Sequence, residues 1–131
     1  MYESLRLVLL ILTATAATAL AMPASGKQPR AAYPKQILGV WEGGYEACKL
    51  PGNLDSDQRI EFKPHLLDDY EQHSKPVQVV QVSRTPLAWK ITSILYIDEN
   101  HLSQSEIYVL NTSGRLTIVD QSRTEVYTRC D

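Results

Sequence analysis

Cys48 and Cys130 are the only two cysteines in a chain of 131 residues, and Cys130 is the penultimate one. A bond between them would hold the region around Cys48 beside the C-terminus, because disulfide geometry needs Cα atoms about 5.5 Å apart. Neither cysteine belongs to a Cys-x-x-Cys pair or has a histidine close by in sequence. That favours a structural bridge over a catalytic or metal-binding thiol. Cys48 closes the stretch Leu38–Cys48, the first strong strand candidate. The pair Gly43-Gly44 within it marks a bulge or bend of the kind barrel strands use.

A structural bridge belongs to an oxidising compartment, and the N-terminus agrees. Arg6 stands in a short charged head. Leu7 to Leu12 opens an apolar run, and Ala19-Leu20-Ala21 is a small-x-small cleavage pattern. Together these predict a signal peptide over 1–21. The strongly apolar part is well short of the roughly 20 residues of a spanning helix, and no cysteine follows Ala21 to take a lipid. The expected location is periplasmic or secreted, with no membrane association after cleavage. Residues 22–35, rich in Pro, Ala, Ser and Gly, predict a flexible lead-in, and 36–131 one domain. The leader removes Arg6 and Glu3, so the net charge of -2 is unchanged. There is no basic excess for a nucleic-acid backbone.

The domain is a succession of strand patterns. Around Pro34 a single helical turn is expected, ended by Gly39. Gln58–Lys63 alternates, with Ile60 and Phe62 on one face. His65–Ser74 fits a strand or a helix; a strand is preferred, since the preceding strand needs a hairpin partner. Pro76 is expected to start Val77–Val82. In Leu87–Ile97, residues Leu87, Trp89, Ile91, Leu95 and Ile97 share a face that only Ser93 interrupts. Strands over 105–110, 115–119 and 124–130 follow, separated by turns. The expected fold is all-β: a small antiparallel up-and-down barrel of about seven or eight strands, closed by one disulfide.

Gly39-Val40-Trp41, after a short turn and at the head of the first strand, resembles the Gly-x-Trp of the lipocalin-like (calycin) barrels. The spacing of Trp41, Cys48, Tyr70-Glu71, Trp89 and Tyr127-Thr128-Arg129-Cys130 is similar to that of small exported bacterial β-proteins. The resemblance implies that Trp41 closes one barrel end and that an Arg near the last strand packs on its ring. Arg123 and Arg129 both lie there; Gly39, Trp41 and Arg129 are assigned to the barrel end.

Catalytic patterns are missing from the sequence. It has no Gly-x-Ser-x-Gly elbow, P-loop or His-Glu-x-x-His, and the expectation is a non-enzyme without metal or cofactor. His65, Asp69 and His73 would share a face of a helix and could then hold zinc. On a strand the two histidines lie too far apart. The candidates for partner binding are the polar loops Leu50–Asp57 and Asp98–Ser103 and the polar face from His65 to His73: Asp55, Asp57, His65, Asp69, His73 and His101. The expected function is an exported binding protein, such as an inhibitor or immunity-type partner of a secreted or cell-wall-active enzyme. The alternative is a lipocalin-like carrier of a small apolar ligand.

Overall fold

The computed structural model describes residues 26–131; the signal peptide expected over 1–21 lies outside them. A 3₁₀ turn, η1 (Lys35–Ile37), precedes eight strands: β1 (Gly39–Gly43), β2 (Arg59–Lys63), β3 (Leu66–Asp69), β4 (Gln72–Arg84), β5 (Leu87–Ile97), β6 (Asn100–Leu110), β7 (Arg115–Val119) and β8 (Thr124–Arg129). Each strand pairs with the next, and β8 returns to β1, so the sheet is a closed antiparallel barrel. The seam is held by Trp41 opposite Arg129, Glu42 opposite Thr128 and Gly43 opposite Tyr127.

The alternation seen in sequence decides what faces inward. Ile60 and Phe62 of β2, Trp89 and Ile91 of β5 and Leu116 and Ile118 of β7 are all buried in one core cluster. Tight turns connect the strands from β2 onward. Asn111 Oδ1 accepts from the backbone N–H groups of Ser113 and Arg115 at 3.0 and 2.9 Å. Asp120 Oδ1 does the same for Ser122 and Arg123 at 2.7 and 2.9 Å. These side chains replace backbone partners that a tight turn leaves unpaired.

Several expectations change. The first strand stops at Gly43 instead of running to Cys48, because Gly44 takes a φ of +96° and turns the chain out of the ladder. The segment then runs back along the outside of the barrel, and Cys48 forms a parallel bridge to Cys130 beyond the end of β8. The disulfide Cys48–Cys130 therefore fastens the β1–β2 loop to the C-terminus, not the first strand to the last. His65–Ser74 is neither one strand nor a helix but a hairpin that turns at Tyr70-Glu71. β4 runs on through Pro76, with a register shift just after it. The loop expected over Asp98–Ser103 shrinks to Asp98-Glu99, since β6 begins at Asn100. The lead-in ends inside the core: Tyr33 is buried against Phe62 at 5.0 Å and against Tyr108 at 6.5 Å, and its N–H bonds Pro64 O.

One barrel end is closed by η1. Ile37 and Trp41 are fully buried, and Trp41 Nε1 donates to Ile37 O at 2.8 Å. The Arg129 guanidinium lies 4.2 Å over the Trp41 ring. It also donates to Leu38 O at 2.7 Å and to Gln36 O. Gly39 has a φ of +117°, and a Cβ there would meet Arg129 Nη1 at 3.3 Å. The positive φ is what favours glycine at this point, and a side chain would also press on Arg129.

Candidate functional site

The opposite end of the barrel is open, and the strands bring polar side chains to it. Asp69 ends β3, Gln72 starts β4, Gln104 and Glu106 come from β6, and Arg123 and Glu125 flank the start of β8. They line a small, partly open space of about 20 Å³ together with Tyr108 and Tyr127. That is room for roughly one water. A small-molecule site usually offers about 300 Å³ or more, so the interior here is occupied by its own side chains.

Within this mouth the carboxyls are hydrogen-bonded, and Glu106 is buried while Glu125 keeps access to solvent. Glu106 Oε2 accepts from the Tyr108 hydroxyl at 2.7 Å, and Arg123 lies 3.9 Å from Glu106 Oε1. Gln72 Nε2 donates to Asp69 at 2.8 Å, and the Tyr127 hydroxyl donates to Glu125 at 2.8 Å. Burial raises the Glu106 carboxyl above the usual carboxylate range, and the Tyr108 bond and Arg123 offset only part of this. Burial likewise raises Asp69. It also pushes up the Tyr108 hydroxyl, with the Glu106 charge adding to the shift. Asp120, at the rim, is held down to about 2, chiefly by the backbone N–H of Ser122.

These shifts give a pH profile. A carboxyl whose folded value is raised binds its proton more tightly when folded. Stability then falls as pH rises from the ordinary carboxylate value through the raised one. Asp120 acts the other way: its contribution is present above 3.8 and is lost as pH falls towards about 2. The two effects meet near the ordinary carboxylate value, so the combined contribution of these three groups to stability is largest there and falls on either side. Glu106→Gln should raise the thermal midpoint at about pH 7.5 and flatten the decline above about pH 5. A lower midpoint with an unchanged slope would show that ionised Glu106 supports the fold instead.

The outer surface beside this mouth carries a second grouping. His73 of β4, Tyr96 of β5 and His101 of β6 stand opposite one another across three adjacent strands. His73 stacks on Tyr96 at 4.8 Å and 7° between planes, and His101 lies 5.9 Å from the same ring. Lys75 Nζ sits 4.8 Å from its centroid. The result is a ridge of three rings with a cation beside it.

The predicted partner-binding residues are thus divided. His73 and His101 meet on Tyr96. His65 stands at the head of β3, where Nδ1 lies 2.8 Å from Ala31 O, tying down the N-terminal segment. Asp69, half-buried, lines the barrel mouth and also borders the surface depression beside the β3–β4 turn. Asp55 and Asp57 are exposed on the β1–β2 loop. That loop faces the β3–β4 turn across an open depression of about 250 Å³, lined by Leu54, Ser56, Asp68 and Tyr70 among others.

Tyr96 and Glu106 were not singled out from the sequence. Strand parity would have aligned Tyr96 with His101 only once the β5–β6 register was known. Glu42 lies with both cysteine sulfurs in the one group of potential metal ligands among the described residues. Those sulfurs are bonded to each other, so they offer no thiolate to an ion. The disulfide fits an oxidising, extracytoplasmic setting, and no helix among the described residues is long and apolar enough to cross a membrane. Compared with protein-family models, curated proteins and solved structures, the chain matches none of them.

Proposed function

We propose that this is an exported binding protein that engages a protein partner through the outer surface around Tyr96. The observation that carries the proposal is the contrast between an interior with only about 20 Å³ of free space and a His73–Tyr96–His101 ridge whose His101 is exposed and whose other two rings are half-buried. Rings held by neighbouring strands give contact area at little entropic cost, and tyrosine is enriched at interface hot spots. A rigid barrel that positions surface residues suits an inhibitor or immunity-type partner of a secreted or cell-wall-active enzyme. The alternative of an apolar-ligand carrier gains no support from so small an interior space.

The test is affinity capture from periplasmic extract at physiological salt. The wild-type protein should retain one dominant partner, and Tyr96→Ala should weaken it by about tenfold or more, as a hot-spot truncation does. Full retention by Tyr96→Ala would remove the ridge from the interface. Empty capture with micromolar bait would end the binding-protein reading.

A further inference from the structure

We propose that the free edge of β4, from Lys75 to Arg84, docks an extended segment of a protein partner that adds to the sheet as a further strand and carries acidic residues at its ends. This rests on the binding-protein reading and specifies the partner's chemistry. β3 pairs with β4 only through Gln72, His73 and Ser74, whereas β5 pairs with it as far as Arg84. Among the described residues no strand lies on the other side of Lys75–Arg84, and no turn or loop bonds its backbone there; the one side-chain bond to it is Gln81 Nε2 to Ser83 O at 3.1 Å, near the Arg84 end. An antiparallel ladder directs alternate N–H and C=O groups to each side, so this edge presents a row of unpaired donors and acceptors.

The side chains leave that row open. Val77, Val80 and Val82 are 54%, 45% and 55% exposed. Register shifts lie between Pro76 and Gln78 and between Gln81 and Ser83, and the ladder from Gln78 to Gln81 is regular between them. Edges are usually blunted by a bulge, proline or charge within the strand. Here such devices stand at both ends of an uncharged, β-branched run, which limits how long a docked strand can be. Val79 packs against the core while Val80 points outward beside Lys90, so the edge backbone is anchored.

Charge selects the occupant. β4 and β5 carry Lys75, Arg84 and Lys90 and no acidic residue, although the chain as a whole has a net charge of -2. A second copy paired antiparallel on this edge would bring the Lys75 end of one molecule to the Arg84 end of the other. Like charges there oppose self-association, whereas Asp or Glu flanking an apolar strand would be attracted. Strand addition of this type draws affinity from main-chain bonds and specificity from side chains at alternate positions. Lys75 also contacts Tyr96, so the edge and the ridge form one continuous surface.

The experiment is amide hydrogen exchange by NMR on the whole exported protein, alone and with capped Glu-Glu-Val-Thr-Val-Thr-Val-Glu-Glu. The controls are the same peptide with Lys for Glu and one with a central Pro. The acidic peptide should slow exchange at alternate amides within 77–82 by about tenfold or more, and neither control should do so. Arg84→Glu, at the far end of β4 from Tyr96, should weaken the acidic peptide about tenfold with unchanged thermal stability, and should favour the Lys-flanked one. No protection at millimolar peptide, or protection only elsewhere, would overturn the edge site while leaving partner capture through Tyr96 intact. Edge protection without peptide would overturn it too, and its dependence on protein concentration would identify a second copy as occupant.

Discussion

Trp41→Ala is expected to cost about 3–5 kcal/mol of folding stability, the range for truncating a buried large aromatic. The effect has three sources at one place. The indole is fully buried in the core, so its removal leaves a void between β1, β2 and β8. Ile37 O loses the Nε1–H that reaches it at 2.8 Å, and a buried carbonyl without a donor carries its own penalty. Arg129 loses the ring under its guanidinium, and with it the contact that aims its other donors at Leu38 and Gln36. Because a domain of this size is stable by only about 5–15 kcal/mol, the variant should be partly unfolded at physiological temperature. Trp41→Phe keeps most of the ring but not the donor and should lose roughly 1–3 kcal/mol. Urea denaturation of both variants checks this. A loss below about 1 kcal/mol for the alanine variant would mean that η1 and Arg129 hold the barrel end without the indole.

The chain showed its strands more plainly than its surfaces. Gln58–Lys63 and Leu87–Ile97 alternate cleanly, and a half-buried strand cannot slip by one residue without exposing its apolar set. The inward face of β5 holds as expected through Trp89 and Ile91, with Ser93 the one polar residue fully buried on it, but its far end does not: Ile97 is exposed. Alternation failed where both faces are mixed. In β6, Ile107 points outward while Glu106 is buried, because the barrel interior accepts a carboxyl that Tyr108 and Arg123 can satisfy. Ranking Ile107 above Glu106 by hydrophobicity gives the opposite answer. Gly43-Gly44 was ambiguous for another reason. Glycine permits a bend within a strand and an exit from it equally well, and which occurs depends on where Cys48 is fastened. The His73–Tyr96–His101 ridge depends on cross-strand register over three strands, which no local pattern in the chain encodes.

Replacing both cysteines, Cys48→Ala with Cys130→Ala, is expected to lower stability by about 2–5 kcal/mol while leaving the barrel closed. Alanine avoids placing a hydroxyl at Cys130, which is buried. The bonded residues are 82 positions apart in sequence. In the chain-entropy model, losing that cross-link frees the unfolded chain by about 4.5 kcal/mol. This penalty acts on the unfolded state, so it should leave the native sheet unchanged. The seam between β1 and β8 is made by Trp41, Glu42 and Gly43 with Tyr127, Thr128 and Arg129, none of which needs the bond. The local consequence falls on the β1–β2 loop. There the bridge is flanked by Leu50 N to Asp131 O at 3.2 Å and Asp131 N to Cys48 O at 3.3 Å, with Cys130 N to Val40 O at 2.9 Å and Arg59 Nε to Pro51 O at 2.8 Å holding its two sides. Far-ultraviolet circular dichroism of the variant should therefore match the wild type. Its urea midpoint should fall, and amide exchange should accelerate in 44–58 but not in β5 or β6. A collapsed β spectrum under native conditions would make the disulfide, not the strand ladder, the element that closes the barrel. An unchanged midpoint would place the loop's attachment in the hydrogen bonds alone. Mass spectrometry of the exported wild-type protein should find both thiols oxidised, and a free-thiol population would contradict the closure at its source.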